Sequence, residues 1–450
     1  MKTTFNFLTG WVVLVLAGLN TVPLCAAPAY PLKVSADSRY LVDQQDKPFF
    51  MHGDTAWSLI AQVSREDAEL YLRDCAARGF NSVIVSLIEA HYSSQAPANY
   101  YGIEPFLDKN RFTTPNEAYF THADWVIRKA AEFGLNVVLA PCYLGCCDDG
   151  WAKALTESNS VSDARWYGAW VGKRYARFPN IIFVWGNDLR PEKLRGKIRA
   201  MAEGAKSASP VHLHTYHSRN RSALDDWTSG ERWLDLNNTY SYHPIQIKSL
   251  ENDNRSPRLP YFHFESDYEN CFNHAPLSKI RHQAYVAVLC GNCGHHFGNN
   301  PIWHMNGAPK DARDSWKNHL DDEGRLQMRH VRALFESRPW YLLRPDKERR
   351  IATSEPGDGL QFVAVAGASD HSTLIAYLPG LRPVSINMGW LSGTVARCWW
   401  FNPRTGEATA AGDMESSGIR EFTPMTDSDW ILVIDDADRR FPIPGASPSN

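Results

Sequence analysis

The sequence predicts a (β/α)8 barrel followed by a small antiparallel β-sandwich, and three observations lead to this prediction. Along residues 48–335, eight short apolar runs alternate with stretches that mostly show helical periodicity. After Arg344 the helical periodicity ends, and short apolar runs separated by turn residues take over. The chain has 450 residues, which is long for one ordinary domain and suits a large barrel with an appended domain. Eight alternations of strand and helix are typical of a closed parallel barrel.

The first residues have the pattern of a secretory signal peptide. Lys2 supplies the positive charge, an apolar segment spans residues 11–19, and small residues follow at 25–27. We therefore predict that residues 1–26 are removed and that the protein is exported to the periplasm or the extracellular space. A lipid anchor at Cys25 is the alternative, which the bulky Leu24 disfavours. No other apolar run is long enough to span a membrane, so we predict no membrane association after cleavage.

The barrel strands are predicted in chain order, each followed by a loop or helix. The eight segments are FFMHGDTAW (49–57), FNSVIVSL (80–87), LNVVLAP (135–141), IIFVWGND (181–188), VHLHTYH (211–217), LNNTYSYH (236–243), YFHFESDYE (261–269) and CGHHFGNN (293–300). Helical periodicity predicts helices at 65–78, 120–133, 163–177 and 313–336, and glycines at 79 and 134 end the first two. A doubly wound open sheet is the alternative, but no glycine-rich phosphate loop follows the first strand.

Three regions complete the domain organisation. We place the barrel at residues 35–340, the sandwich at 345–437 and a tail at 438–450. The sandwich strands are predicted at the runs LQFVAVAG, STLIAYLP, TVARCWWFN and DWILVID.

Eight cysteines remain after the predicted leader, and an even number in an oxidising compartment favours disulfides. The spacing in CYLGCC (142–147) and CGNC (290–293) also suggests zinc ligands. A second pair of zinc ligands would have to come from a distant segment, so we predict no metal site and no cofactor.

The charge and the aromatic content of the chain indicate which kind of molecule it binds. The formal net charge is -3, from 47 basic and 50 acidic side chains without a basic stripe, so neither nucleic acid nor an anionic membrane is predicted as a partner. The chain is rich in aromatic side chains, with 16 Trp and 18 Tyr, and such rings suit the apolar faces of sugars as well as a packed core. We predict an oligosaccharide or polysaccharide as the partner.

Acidic and polar side chains stand where the predicted strands end. In a (β/α)8 barrel the reactive groups sit at the carboxyl ends of the strands. Asp188 follows the fourth strand and Glu265 the seventh, so the two lie at one mouth. Two carboxylates at one mouth suit glycoside hydrolysis, in which one protonates the leaving oxygen and the other attacks carbon or activates water. The alternative interpretation of Asp188 is a cap of the helix that begins near Pro191.

Six motifs in order resemble those of the apiosidase-like glycoside hydrolases, glycoside hydrolase family 140. They are HGDTAW, RGFNSV, PNEAYFTHADWVIRKAAEFGLNVVLAP, WGND, FESDYE and GHHFGNNPIW, within about residues 35–340. The later CWWFNPRTG resembles the β-sandwich that follows the barrel in many members. The resemblance implies a retaining hydrolase that acts on apiose-containing pectic side chains, with Asp188 as acid/base and Glu265 as nucleophile. The sequence Phe264-Glu265-Ser266 departs from the Gly-Glu-Pro of many members, so Glu269 stays a second candidate.

Further side chains are predicted to surround the sugar. Tyr242 is expected to donate a hydrogen bond to Glu265, and Glu265 is expected to raise the pKa of Asp188. The predicted contacts to sugar hydroxyls are Asp54, Asn187, His217, His243 and His295, and the predicted stacking rings are Trp57, Tyr100, Tyr268 and Trp303. Two other classes stay open: a metal-dependent barrel hydrolase using His52, His212, His214 and His217, and a glycan-binding protein without activity.

Overall fold

The computed structural model describes residues 28–146, 149–271, 274–307 and 314–446. The predicted signal peptide, residues 1–26, and residues 447–450 of the predicted tail lie outside these ranges. Within them, no helix is both long and apolar enough to cross a bilayer.

Eight parallel strands form the sheet of the predicted barrel. They are β1 (Met51–Thr55), β2 (Ser82–Ser86), β3 (Asn136–Ala140), β4 (Ile181–Gly186), β5 (Leu213–His217), β6 (Asn237–Tyr240), β7 (Tyr261–Glu265) and β8 (Gly294–Phe297). They pair in the order β5-β4-β3-β2-β1-β8-β7-β6, so the sheet curls round until β5 and β6 face each other. All eight segments lie within the strands predicted from the sequence, which confirms the barrel.

Other hydrogen bonds close the seam between β5 and β6. The backbone amides of Asp235 and Leu236 both donate to the carbonyl of His214, each at 3.0 Å. The side-chain amide of Asn238 donates to the carbonyl of Tyr216 at 2.7 Å, and the Thr215 hydroxyl donates to the carbonyl of Leu236 at 2.9 Å. Polar side chains therefore replace the strand ladder here, which explains why the fifth and sixth strands are richer in His, Asn and Tyr than the others.

A helix follows each strand. They are α1 (Arg65–Ala77), α2 (Glu117–Glu132), α3 (Val161–Tyr175), α4 (Arg195–Ala208), α5 (Ala223–Asp226), α6 (Ile245–Asp253), α7 (Leu277–Leu289) and α8 (Glu323–Glu336). Ser64 caps α1 and Asn116 caps α2, each accepting a backbone amide hydrogen. The prediction that the last helix starts at residue 313 is wrong, because a short 3-10 turn (Trp316–His319) precedes it.

Side chains of the barrel strands alternate between the interior and the helices. Gly53 of β1 faces inward, where an added Cβ would lie 2.2 Å from the ring of His296. His296 in turn meets the Ser82 hydroxyl at 3.1 Å. The next residue, Asp54, points outward to Arg325 of α8. This two-residue period decides which predicted side chains reach the mouth.

The C-terminal domain consists of two antiparallel sheets. Its strands are β9 (Leu343–Pro345), β10 (Ala364–Ala368), β11 (Thr373–Leu378), β12 (Val384–Asn387), β13 (Val395–Phe401), β14 (Ala408–Glu415), β15 (Ile419–Phe422) and β16 (Trp430–Asp436). A six-stranded sheet has the order β9-β10-β11-β16-β13-β14, and β12 pairs with β15. The polar, largely exposed β14 and β15 carried no apolar signal in the sequence.

The central strands of the six-stranded sheet are buried on both faces. Leu374 and Leu432 pack in the core of the sandwich, whereas their neighbours Ile375 and Val433 belong to the core that extends into the barrel. Two buried ion pairs lie among these contacts. Arg281 of α7 makes a bidentate pair with Asp429, with both distances 2.7 Å, and Arg338 pairs with Asp435 at 2.9 and 2.7 Å. The sandwich is thus packed directly onto the α7–α8 side of the barrel.

The structure corrects the expectation of disulfides for most of the cysteines. Cys146 is disulfide-bonded. Five others are buried free thiols: Cys75, Cys142, Cys290, Cys293 and Cys398. Burial excludes solvent and raises the pKa of the Cys75 thiol, which lies 3.7 Å from the Asp54 carboxylate in the outer layer of the barrel. The two cysteines of CGNC are therefore not joined to each other, and they act as core residues.

Candidate active site

Asp188 stands at the carboxyl end of β4 in an unusual backbone conformation. Gly186, Asn187 and Asp188 have φ of 82°, 59° and 58°, all in the left-handed region. Glycine is required at 186 for a second reason, because a Cβ there would lie 2.3 Å from the ring of Tyr216. The helix after this turn begins only at Arg195 and has no side-chain cap. Asp188 is therefore not a helix cap, and the sharp turn holds its carboxylate at the mouth.

Glu265 reaches the mouth because β7 contains a β-bulge. Along the pairing with β6, His263 faces Thr239 and Glu265 faces Tyr240, so Phe264 is an extra residue on β7. Without that insertion, Glu265 would point to the same side as His263, away from Phe264. The bulge lets Phe264 and Glu265 contact the same mouth residue, His217.

Two phenols connect the carboxylates. The hydroxyl of Tyr240 lies 3.2 Å from Oδ1 of Asp188 and 3.4 Å from the hydroxyl of Tyr242. Tyr242 in turn donates to Oε1 of Glu265 at 3.2 Å. Tyr242 was predicted at this position, whereas Tyr240 was not. The YSYH motif could have indicated Tyr240, because Tyr240 and Tyr242 are two residues apart and such residues of a strand share a face.

His217 spans the same two residues from the other side. Its Nδ1 accepts a hydrogen bond from the backbone amide of Asp188 at 3.3 Å. The neutral ring must then carry its proton on Nε2, which lies 3.2 Å from Oε2 of Glu265. The ring is stacked on Phe264 at 4.3 Å and on Trp57 at 5.8 Å, so its orientation is held by packing.

The environment raises the pKa of Asp188 to about 6. Burial is the largest cause, since it disfavours the charged carboxylate, and the negative charge of Glu265 adds to it. His217, Tyr240 and the exposed Arg219 act in the opposite direction. The sequence suggested Glu265 as the cause, whereas in the structure burial comes first. A carboxyl group with this pKa keeps its proton in mildly acidic solution.

Aromatic side chains form the wall beside the pair. Trp57 contacts Tyr143 at 6.2 Å, and Tyr143 contacts Tyr92, which stacks edge-on against Trp303 at 4.9 Å. Tyr268 lies beside Glu265, whose charge raises the pKa of the tyrosine further after burial. Tyr92 and Tyr143 were not predicted. Tyr143 follows β3 directly, as a mouth residue should.

Asp54 and Glu269 are outside the mouth, which corrects two predictions. Asp54 is fully buried and accepts a hydrogen bond from Nε of Arg325 at 3.0 Å, because its position on β1 points outward. Glu269 accepts the backbone amides of Gly324 and Arg325 at 2.7 and 3.1 Å, and the amide of Asn299 at 3.0 Å. It caps the start of α8, so its oxygens are already occupied.

One further prediction is corrected by position, and two are left as predictions. His295 is completely buried and stacks on His263 at 4.8 Å, because it alternates with the inward-facing His296. Tyr100 is half exposed and its ring contacts Tyr101, so its stacking on a sugar stays a prediction. His243 is exposed, and its backbone forms two hydrogen bonds with the Ser241 hydroxyl; its contact to a sugar hydroxyl stays a prediction. Asn187 does lie beside Asp188, but its side-chain amide donates to the carbonyl of Cys142 at 3.4 Å.

Two of the histidines considered as metal ligands, His212 and His214, have hydrogen-bond partners. His212 lies 2.8 Å from the Ser209 hydroxyl and 2.9 Å from the carbonyl of Phe178. His214 accepts the indole hydrogen of Trp185 at 3.1 Å. Within the described parts of the chain, no group of three His, Cys, Asp or Glu side chains is placed to hold a metal ion.

Comparison with known families agrees with this geometry. The family model of the apiosidase-like catalytic domain matches residues 35–342, which is more than half of the chain. The chain belongs to the apiosidase-like glycoside hydrolases. A second model, named for the collagen-binding domain of a collagenase, matches residues 345–435 of this apiosidase-like protein. The barrel is therefore that of a glycoside hydrolase, and its substrate is a carbohydrate.

Solved structures show the same fold. One described as a glycoside hydrolase has a TM-score of 0.80 at 24% identity and covers 91% of this chain and 97% of its own. A family 5 glycoside hydrolase from Bacteroides vulgatus ATCC 8482 has a TM-score of 0.81 at 22% identity, with 92% and 96% covered. No curated protein matches the sequence. At these identities the likeness of the apiosidase-like protein to the solved structures concerns the fold.

Proposed function

We propose that the protein is an exported, retaining glycoside hydrolase that releases apiose from pectic side chains. In this proposal Asp188 is the acid/base and Glu265 is the nucleophile. The observation that carries it is the pair itself. A carboxyl group with a raised pKa and a second carboxylate that accepts a hydrogen bond from Tyr242 and lies beside His217 face one mouth, joined by two phenols.

The two carboxyl groups differ in the way that a double displacement needs. Glu265 accepts a hydrogen bond from Tyr242 at Oε1, and His217 Nε2 lies 3.2 Å from Oε2, so polar groups surround the oxygens that would attack the sugar. Asp188 has a raised pKa, so it can hold a proton in mildly acidic solution. A carboxyl group with a raised pKa is suited to the role of general acid in glycoside hydrolysis.

The first step transfers the glycosyl group to the enzyme. Asp188 gives its proton to the glycosidic oxygen while an oxygen of Glu265 attacks the anomeric carbon. The bond between that carbon and the leaving oxygen breaks, and its electron pair stays on the leaving oxygen, which now carries the proton. The product of this step is a glycosyl ester of Glu265 and a released alcohol.

The second step hydrolyses the ester. The Asp188 carboxylate takes a proton from water as the water oxygen attacks the anomeric carbon, and Glu265 leaves as a carboxylate. Asp188 is protonated again, and the sugar keeps its original anomeric configuration after two inversions. Retention requires the two carboxyl groups to be about 5 to 5.5 Å apart.

Two further features support the choice of substrate and location. The matching family is named for apiosidase-like activity, and the six sequence motifs resemble enzymes acting on pectic side chains. The wall of Trp57, Tyr143, Tyr92 and Trp303 offers aromatic faces against which a small sugar can pack. The sequence of residues 1–26 supports export.

The test is hydrolysis of apiose-containing pectic oligosaccharides by the purified mature protein, beside a panel of other glycosides. Wild type is compared with Asp188→Asn and Glu265→Gln, and Glu269→Gln is the matched control because that acid lies in the β7 loop outside the mouth. We expect wild type and the control to release apiose, and the two site variants to lose at least a thousandfold in rate. NMR of the first product should show the retained anomer.

Each other outcome decides against part of the proposal. Release of another sugar, still lost in both site variants, would keep the mechanism and discard apiose. An inverted first product would remove Glu265 as nucleophile. Turnover that survives Asp188→Asn or Glu265→Gln would overturn the assignment of that residue. Glycan binding without turnover by wild type would leave a binding protein.

A further inference from the structure

The hydroxyls of Tyr240 and Tyr242 form a chain of hydrogen bonds between Asp188 and Glu265, here called the phenol chain. It contains more possible acceptor atoms than phenol hydrogens. Each phenol has one hydrogen to donate. Tyr242 has Oε1 of Glu265 within reach at 3.2 Å. Tyr240 has two acceptors within reach, Oδ1 of Asp188 at 3.2 Å and the hydroxyl oxygen of Tyr242 at 3.4 Å, so it can satisfy only one at a time.

The protonation state of Asp188 decides which acceptor Tyr240 serves. When Asp188 is ionised, its carboxylate is the stronger acceptor, and Tyr240 donates to it. When Asp188 is protonated, the acid becomes the donor, so Tyr240 accepts from Asp188 and donates to Tyr242. The hydrogen bonds then run in one direction from Asp188 through both phenols to Glu265, and such chains strengthen each bond in turn.

We propose that Tyr240 is a positioning residue for Asp188 and that its hydroxyl reverses direction each time the acid/base gives up or regains its proton. This inference rests on the proposed function. Only the O–H direction changes, by rotation about the C–O bond, and each phenol keeps its single proton throughout. The chain favours protonated Asp188 and ionised Glu265 together before the first step, and Tyr240 stabilises the Asp188 carboxylate after it.

The surroundings of the chain allow this rotation without ionising the phenols. Burial and the nearby carboxylates raise the pKa of both tyrosines far above their ordinary value, so they stay neutral. The ring of Tyr240 is held against His217 at 4.8 Å. Besides the two tyrosines, the ionisable groups that face Asp188 are Glu265, His217, Tyr143 and the exposed Arg219. None of these is removed in the variants below.

The experiment measures the pH dependence of kcat/KM for Tyr240→Phe and Tyr242→Phe, with an apiose-containing pectic oligosaccharide as the substrate. In Tyr240→Phe the ionised Asp188 loses a charge-assisted donor, so the basic limb should move to higher pH by about one unit. In Tyr242→Phe the protonated state loses the onward acceptor of Tyr240, so the basic limb should move to lower pH. Shifts of opposite sign are the signature of the reversing hydroxyl.

Tyr261→Phe is the matched control. It also removes a buried phenol hydroxyl from a barrel strand, but this hydroxyl lies 2.9 Å from the carbonyl of Cys290 and 3.4 Å from Oδ1 of Asp253, at the opposite end of β7 from Glu265. Both limbs should stay in place in this variant, even if the protein is less stable. A general loss of packing would lower activity without moving a limb, so the pH profile separates positioning from structure.

The results distinguish this inference from the proposed function. An unmoved basic limb in Tyr240→Phe, or shifts of the same sign in both variants, would overturn the inference while Asp188 and Glu265 remained essential. Turnover that survives Asp188→Asn would overturn the function itself. If Tyr240→Phe does not fold, Tyr242→Phe decides alone: a basic limb at lower pH supports the inference, and an unmoved limb refutes it.

Discussion

Replacement of Asp188 by Asn should stabilise the protein, and by more at neutral than at acidic pH. The folded structure raises the pKa of Asp188 to about 6, mainly by burial, so the folded state binds the proton more tightly than the unfolded chain. Unfolding free energy therefore falls as the pH rises from the ordinary carboxyl value towards 6. Asparagine cannot ionise and does not show this fall.

The size of the effect follows from the pKa. Each pKa unit corresponds to about 1.4 kcal/mol, so a rise from near 3.9 to about 6 costs about 3 kcal/mol once Asp188 is ionised. Between pH 4.5 and 7.5 the cost should grow by about 2 kcal/mol. Asp188 keeps some contact with solvent, so these are upper figures.

Denaturant unfolding at pH 4.5 and 7.5 measures the effect as the difference between Asp188→Asn and wild type. Asp427→Asn is the control, because this exposed carboxylate lies on a turn of the sandwich. We expect the gain in free energy of unfolding of Asp188→Asn over wild type to be larger at pH 7.5 than at pH 4.5. The difference between Asp427→Asn and wild type should be the same at both pH values. An advantage that is equal at both pH values, or larger at pH 4.5, would refute the argument from burial.

Three further outcomes test other parts of the structure. The kcat/KM of wild type on an apiose-containing pectic oligosaccharide should fall tenfold per pH unit above about 6, where Asp188 loses its proton. A kcat/KM that begins to fall only above pH 8 would contradict this. Glu269→Ala should lower the free energy of unfolding by about 3 kcal/mol, since three buried donors lose their acceptor. The folded fraction of Glu269→Ala should have the kcat of wild type. A variant that is as stable as wild type but has lost turnover would contradict this prediction. Arg338→Met should lower the free energy of unfolding in urea by about 3 to 5 kcal/mol, because Asp435 is left as an unpaired buried charge. The double variant Arg338→Met/Asp435→Leu should recover most of that loss. A single variant as stable as wild type would show that the ion pair is not needed for stability.

Much of the fold could be predicted because it depends on local patterns. Most of the barrel strands are short apolar runs, although β5 and β6 are rich in His, Asn and Tyr, and the early helices end at glycines, so local patterns indicated them. Of the sandwich strands that the sequence missed, β14 and β15 are polar and largely exposed, and β9 and β12 are only three and four residues long, so none of them has a long apolar run. The start of α8 was misplaced because its cap, Glu269, comes from another loop.

The site was predicted less completely, and one geometric cause explains most errors. Residues at the end of a strand alternate between the mouth and the helices, and a bulge or tight turn shifts that alternation. Asp54 and His295 fall on the outward side, whereas the bulge at Phe264 brings Glu265 to the mouth. Tyr240 was overlooked because its role depends on the positions of Asp188 and Tyr242 across two strands.

The sequence by itself determined the architecture of this protein and the pair of acids at the ends of β4 and β7, because apolar periodicity and residue order are local properties. Only the tertiary structure decided which polar groups meet. It placed two phenols and a histidine between the acids, buried Asp188 so that its pKa rises, and assigned Glu269 to a helix terminus. These outcomes depend on distances between segments far apart in the chain, which are set when the barrel closes.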